Sequence, residues 1–132
     1  MLEENKIVDQ AQQVMGNLSQ KGHMLTTAEI QNFLTAVNTV TEKVNAYKLE
    51  KTDDYDTLPV ELQAQIKYLK VKLAYQIGRN RSKWGNPVED FEKEARLMSL
   101  IDGIKSSTKE YEKFAHYIEA LVAFHKFYGG KD

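Results

Sequence analysis

Three histidines, no cysteine and one run of close aspartates are what this chain of 132 residues offers to a metal ion or a nucleophile. His116 and His125 stand nine residues apart in one helical pattern, so they point to opposite sides of it. His125 lies in an apolar face with Leu121, Val122 and Phe124, the usual setting of a hydrogen-bonded core or interface histidine. His116 has Glu112 four residues before it and Glu119 three after, the spacing of an exposed ion-pair ladder. It lacks the glutamate three residues upstream that a di-iron bundle requires. His23 has no partner in a recognisable motif. Asp53, Asp54 and Asp56 lack the central glycine and closing glutamate of a calcium loop and read as a solvated connector. There is no glycine-rich phosphate loop, H-E-x-x-H or G-x-S-x-G. Without cysteine there is no thiol nucleophile, disulfide frame or cysteine-based zinc site. The expectation is a protein with no catalytic residue, no metal and no cofactor.

The residues that can do other chemistry are cations. From Leu62 to Val88 there is no aspartate or glutamate, while Lys67, Lys70, Lys72, Arg79, Arg81 and Lys83 all fall there. The ordinary explanation is a solvated helix edge whose lysine stems cover core residues. A solvated edge normally mixes signs, however, and this one does not. Two of the chain's three arginines close it, and a guanidinium matches phosphate geometry better than an ammonium does. Trp84 sits within the basic loop, where it either packs on the core or stacks on a base or ribose. The pattern suits contact with a sugar–phosphate backbone more than sequence readout, since no base-reading module is recognisable. Lys72 and Arg79 share a stripe seven residues apart, whereas Lys70 projects beside Ile77 at the edge of the apolar face. Lys67 is as readily solvated as bound.

These residues must be held by helices. Leu62, Ile66, Leu69, Leu73 and Ile77 line one face of a helix running to about Arg79. Val71, Ala74, Tyr75 and Gly78 form a second apolar or small-residue surface, which predicts a helix at the centre of a bundle. Before it, Glu4 to Leu18 is helical in period and ends at Gly22. Thr26-Thr-Ala-Glu29 is a capping box that opens a helix reaching about Leu49. Asn86-Pro-Val-Glu89 opens a fourth helix, whose apolar positions Val88, Phe91, Ala95, Met98 and Ile101 drift to Leu97 and Ile104. Ser107-Thr-Lys-Glu110 opens the last, which Gly129-Gly130 closes. Its final turns carry apolar residues all round, so they are expected either to be buried on most sides or to form a protein interface through Leu121, Phe124, His125 and Tyr128. No segment alternates with period two. The fold class is all-α, a compact bundle of about five helices forming a single helical-bundle domain over 1–132.

The bulk numbers agree. Apolar residues make up 42% and charged residues 28%, the ordinary globular range. A net charge of −1 confines any nucleic-acid binding to a local patch. No membrane span or signal peptide is expected, and absence of cysteine suits the reducing cytoplasm.

Two stretches, Tyr68-Leu-Lys-Val-Lys-Leu-Ala-Tyr-Gln-Ile-Gly-Arg79 and Tyr117-Ile-Glu-Ala-Leu-Val-Ala-Phe-His-Lys-Phe-Tyr-Gly-Gly-Lys-Asp132, resemble the small, all-helical subunit of type III-A CRISPR effector complexes, the second of the Csm proteins. Leu25-Thr-Thr-Ala-Glu-Ile-Gln-Asn-Phe-Leu34 is similar to that family's entry into its first shared helix. The resemblance spans roughly 25–132; residues 1–24 and the aspartate loop lie outside it. It implies a non-catalytic subunit acting in antiviral defence, with several copies associating along a filament of repeated backbone subunits. These copies would lie against the large signalling subunit and line the groove where guide RNA pairs with target RNA. It assigns RNA-backbone contact to Lys70, Lys72, Arg79, Lys126 and Lys131. Arg81, Lys83 and Trp84 rest on the charge argument alone. The competing expectation is a purely structural scaffold that bridges protein subunits without touching RNA.

Overall fold

Helix boundaries in this chain fall where side chains can satisfy the unpaired amides and carbonyls of helix ends. In the computed structural model, which describes residues 2–22, 24–50 and 56–129, six α-helices follow a single 3-10 turn at Glu4–Lys6. They are α1 Ile7–Lys21, α2 Thr27–Glu50, α3 Val60–Arg79, α4 Pro87–Ala95, α5 Leu97–Ile104 and α6 Thr108–Phe127. The capping box is reciprocal: the Glu29 amide donates to Thr26 Oγ1 at 3.2 Å and the Thr26 amide to Glu29 Oε1 at 2.7 Å. The Ser107 hydroxyl accepts from the Glu110 amide at 3.1 Å and opens α6. Gly22 and Gly129 take the left-handed conformation that stops α1 and α6. Gly130 lies outside the described residues.

Helix α6 holds the centre, packing on α1, α2 and α5. It runs antiparallel to α2, as three contacts along its length fix. Tyr111 Oη donates to Val37 O at 3.0 Å and lies 2.8 Å from Thr41 Oγ1. Lys48 Nζ meets Glu112 at 2.6 Å. At the far end, His125 Nε2 and Leu25 O are 2.8 Å apart; a carbonyl only accepts, so that ring nitrogen carries the proton. Helix α1 lies along α6, with Tyr128 folded over Gly16, where an added Cβ would meet its hydroxyl at 3.4 Å. All six helices contribute to one hydrophobic cluster.

The centre of the bundle is therefore not the helix from Leu62 to Arg79. That helix, α3, packs on α2, α4 and α5 and buries the one face expected of it, Leu62, Ile66, Leu69, Leu73 and Ile77. Its second apolar surface faces solvent: Val71, Ala74, Tyr75 and Gly78 are all exposed. An apolar stripe opposite the core is not evidence of a second core when its members are tyrosine, valine and small residues that tolerate water.

The expected fourth helix is two. Arg96 adopts φ 61°, ψ 39° and breaks the rod between α4 and α5. This accounts for the drift in its apolar period. Buried Val88, Phe91 and Ala95 are followed by Leu97, Ile101 and Ile104, a phase reset that a continuous helix does not permit. The break is satisfied locally. The Glu92 carboxylate accepts from the Met98 amide at 3.2 Å, and the Tyr117 hydroxyl donates to Ala95 O at 3.1 Å.

At the end of the bundle where α3 and α6 begin, two loops meet through an isolated antiparallel bridge between Thr57 and Ser107. Leu58 N–H donates to Ser106 O at 2.8 Å and Thr108 N–H to Asp56 O at 3.0 Å. The turn feeding this bridge forces Lys105 to φ 53°, ψ −118°, a region that glycine occupies freely and side chains do not. Lys105→Gly should therefore stabilise the protein by about 1 kcal/mol, read as a higher denaturant midpoint at constant slope. An unchanged or lower midpoint would show that the turn carries no strain.

Candidate nucleic-acid interface

The antiparallel order of α2, α3 and α6 brings the C-terminal ends of α3 and α6 to the same end of the bundle, beside the start of α2. Lys43 on α2 donates to Gln65 on α3 at 2.9 Å, which sets that register. Arg79, Arg81, Lys83 and Trp84 therefore share an end of the molecule with Lys126.

The loop carrying Arg81, Lys83 and Trp84 is a built turn. Buried Asn86 closes α3 and opens α4 at once: its Nδ2 donates to Ile77 O at 2.7 Å, and its Oδ1 accepts from the Glu89 amide at 3.1 Å. Asn80 Nδ2 caps α3 on Gln76 O at 2.7 Å. Ser82 Oγ donates to Gly85 O at 2.9 Å and accepts from the Trp84 amide at 3.2 Å. Gly85 at φ 116° completes the turn, and Trp84 is turned outward, 80% exposed. It does not pack on the core.

The cations divide into two groups. Lys70 Nζ is held by Asp102 of α5 at 2.7 Å, in agreement with its position at the core edge. An exposed pair of this kind is worth no more than about 1 kcal/mol, so it biases Lys70 without locking it. Lys72, Arg79, Arg81, Lys83 and Lys126 are exposed, and none of them is in an ion pair among the described residues. Lys72 and Arg79 lie two turns, about 10 Å, apart on one stripe of α3, the stripe that carries Gln65, the partner of Lys43 on α2. Arg79 also lies in the last turn of α3, where the helix dipole favours a cation. Glu89 lines the same shallow depression as Arg81 and tempers the field there. Lys131 lies outside the described residues, as do His23, Asp53 and Asp54. Among the described residues no group of three metal-ligating side chains comes together, and no helix is long and apolar enough to cross a membrane.

The interface expected on α6 needs correction. Leu121 and His125 are fully buried in the chain's own core, so neither reaches a partner. Phe124 and Tyr128 are half-buried against that core. The residue left outward is Phe127, 71% exposed, edge-on to Phe124 at 6.2 Å and to Tyr128 at 5.1 Å. Its position two residues from buried His125 signals an outward face, but the apolar residues on every side of these turns conceal it.

Sequence reasoning also missed the solvent face of α3, where Tyr75 is 68% and Tyr68 57% exposed. Lys72 Nζ lies 5.9 Å from the centre of the Tyr68 ring, and Lys83 Nζ 5.1 Å from that of Trp84. The signal was present as two Tyr-x-x-x-cation spacings, Tyr68 to Lys72 and Tyr75 to Arg79.

The buried tyrosines are of another kind. Burial pushes the Tyr111 phenol up to about 12, against a smaller opposing pull from its hydrogen bond with Thr41. Burial likewise raises Tyr117 to about 12, helped by the charge of Glu94 and opposed by Arg96. Both stay neutral and structural.

The family model described as Csm2 Type III-A matches residues 2–131 of this chain. A protein named CRISPR system Cms protein Csm2 from Streptococcus thermophilus is 32% identical over 135 aligned positions, covering 100% of this chain and 98% of its own. One of the same name from Enterococcus italicus is 32% identical, covering 93% of this chain and 84% of its own. Another, from Mycobacterium tuberculosis, is 29% identical, with coverages of 95% and 93%.

Proposed function

This chain belongs to the type III-A Csm2 family, and from that premise we propose that it is a non-catalytic small subunit of a type III-A CRISPR effector complex. Its role is to bind the sugar–phosphate backbone of paired guide and target RNA. It acts as one bundle domain over residues 1–132, in the cytoplasm. Copies stack along the filament of repeated backbone subunits and lie against the large signalling subunit. The observation that carries the RNA reading is the pair Lys72 and Arg79. They share one stripe of α3, are exposed and are in no ion pair among the described residues, in a segment with no carboxylate from Leu62 to Val88.

Such a surface binds by releasing counterions, so affinity is tolerant of sequence and falls steeply with salt. Arg81, Lys83 and Lys126 extend the field at the end of the bundle. Few contacts per copy make a single subunit a weak binder, and several copies on one filament multiply the attachment.

Replacing Lys72 and Arg79 with alanine in the assembled complex should flatten the dependence of log affinity on log salt by about two per copy in contact with RNA. At 0.1 M salt that corresponds to roughly 50-fold weaker binding. Unchanged slope and affinity would remove α3 from the RNA surface. The second reading, a scaffold that bridges protein subunits only, is favoured by exposed Phe127. It is the better account if Phe127→Ala releases the subunit from the complex while the Lys72 and Arg79 substitutions leave RNA binding intact.

A further inference from the structure

The proposed backbone contact leaves the outer face of α3 unexplained. Backbone contact needs cations alone, yet the rings of Tyr68 and Tyr75 stand in the open between them. The two tyrosines are seven residues apart, which places them two turns and about 10 Å apart on one stripe. Each is followed four residues later, one turn further on the same side, by a cation: Lys72 after Tyr68 and Arg79 after Tyr75. Between the rings lies Val71, half exposed, and beyond Tyr75 an added Cβ at Gly78 would meet nothing within 4 Å. Lys72 covers one face of the Tyr68 ring, and Lys83 covers one face of Trp84 in the adjoining loop.

A ring beside an ammonium or guanidinium matches the two halves of a nucleotide. The ring offers a face to a base, and the cation reaches the phosphate attached to it. A protein partner for this stripe would need carboxylates opposite Lys67, Lys72 and Arg79 and apolar groups opposite the rings. A nucleotide strand supplies both complements in every repeat unit. Resting on the RNA-binding reading above, we propose that Tyr68, Tyr75 and Trp84 stack on unpaired bases adjoining the paired RNA whose backbone the cations hold, so that this face binds unpaired RNA nucleotides more tightly than a fully paired duplex alone. Base–aromatic stacking is tolerant of base identity and adds affinity that salt does not remove.

Trp84 is the chain's one tryptophan, so its emission reports directly on the site. The full-length chain at low salt is titrated with a short unstructured RNA strand, the same length as perfect duplex, and polyphosphate of matched charge. Single-stranded RNA should quench Trp84, while polyphosphate at saturation should not. Tyr68→Ala should weaken single-stranded RNA binding roughly 5- to 100-fold without changing its salt slope. It should leave polyphosphate binding alone, and Tyr68→Phe should retain the affinity. Lys72→Ala should weaken both ligands and lower the slope. Equal quenching by polyphosphate, a preference for duplex, no binding of the single strand, or a silent Tyr68→Ala would each overturn the stacking proposal. With a silent Tyr68→Ala, an effect of the Lys72 and Arg79 substitutions in the complex would still sustain backbone contact. Loss of both would end both readings. If Tyr68→Ala with Tyr75→Ala spares RNA binding but releases the subunit from the complex, the stripe is a protein interface and the proposal fails.

Discussion

Tyr111→Ala should cost about 3–5 kcal/mol of folding stability, a large part of what a small protein possesses. Tyr111 is 0% exposed and among the largest side chains in the core. Its ring packs at 6.4 Å from Phe114, and its hydroxyl reaches Val37 O on α2. Removing the ring leaves a cavity between α6 and α2, and the helices on either side are too firmly packed to close it fully. Tyr111→Phe separates the causes. It keeps the packing and loses only the hydrogen bonds, for about 1 kcal/mol, while Thr41 Oγ1 still donates to Val37 O at 2.9 Å. Denaturant unfolding of the two variants measures both. Equal losses would mean that the hydroxyl, not the ring, joins α2 to α6. The functional consequence is indirect but large: α2 is the surface on which α3 sits, so loosening α2 from α6 moves the cationic face as a whole.

The second large effect is alkaline. Tyr111 and Tyr117 are both raised from 10.0 to about 12 by burial. In the unfolded chain these phenols ionise near 10, whereas in the folded chain they hold their protons until about 12. Between those values the folded state binds more protons, so stability falls as pH rises. The contribution is fully present below pH 10 and gone above 12. Each tyrosine accounts for about 2–3 kcal/mol across that window. Denaturant midpoints should fall through the window in the native chain, and the fall should be about halved by either Tyr111→Phe or Tyr117→Phe. Lysine deprotonation overlaps in pH but is common to all three proteins, so the difference between them isolates the phenols. A parallel fall in all three would show that neither phenol is responsible.

Local signals carried most of the fold. The buried face of α3 and the caps at Thr26, Asn86 and Ser107 match because periodicity and capping are properties of a few neighbouring residues. The position of a helix in the bundle is not such a property. The wheel of α3 showed two apolar stripes but not which one had a neighbour, so the centre was assigned to α3 when it belongs to α6. The count of helices missed by one because Arg96 is an ordinary helix former that tertiary packing holds left-handed, although the jump from Ala95 to Leu97 betrayed the phase change. In the candidate site, the acid-free run named the cations. It could not show that Asp102 stands opposite Lys70, whereas Lys72 is in no ion pair among the described residues, since both facts depend on which helix lies alongside. Whether Leu121 and His125 face the core or a partner is undecided by the sequence for the same reason: an all-round apolar helix looks alike whether the chain or a partner covers it.

The place of α6 has a consequence for how the protein is made. The helix that touches α1, α2 and α5 follows all of them along the chain, and α1, its most extensive neighbour, precedes the others. A ribosome therefore releases α1 to α5 as a set of helices with no centre. The apolar faces of α1, α2 and α5 that pack on α6 stay open until α6 is translated, because contacts between distant parts of a chain form only when both exist. Any premature stop inside α6 should yield an aggregation-prone chain rather than a trimmed subunit. Assembly into a larger particle can begin only after α6 has left the ribosome.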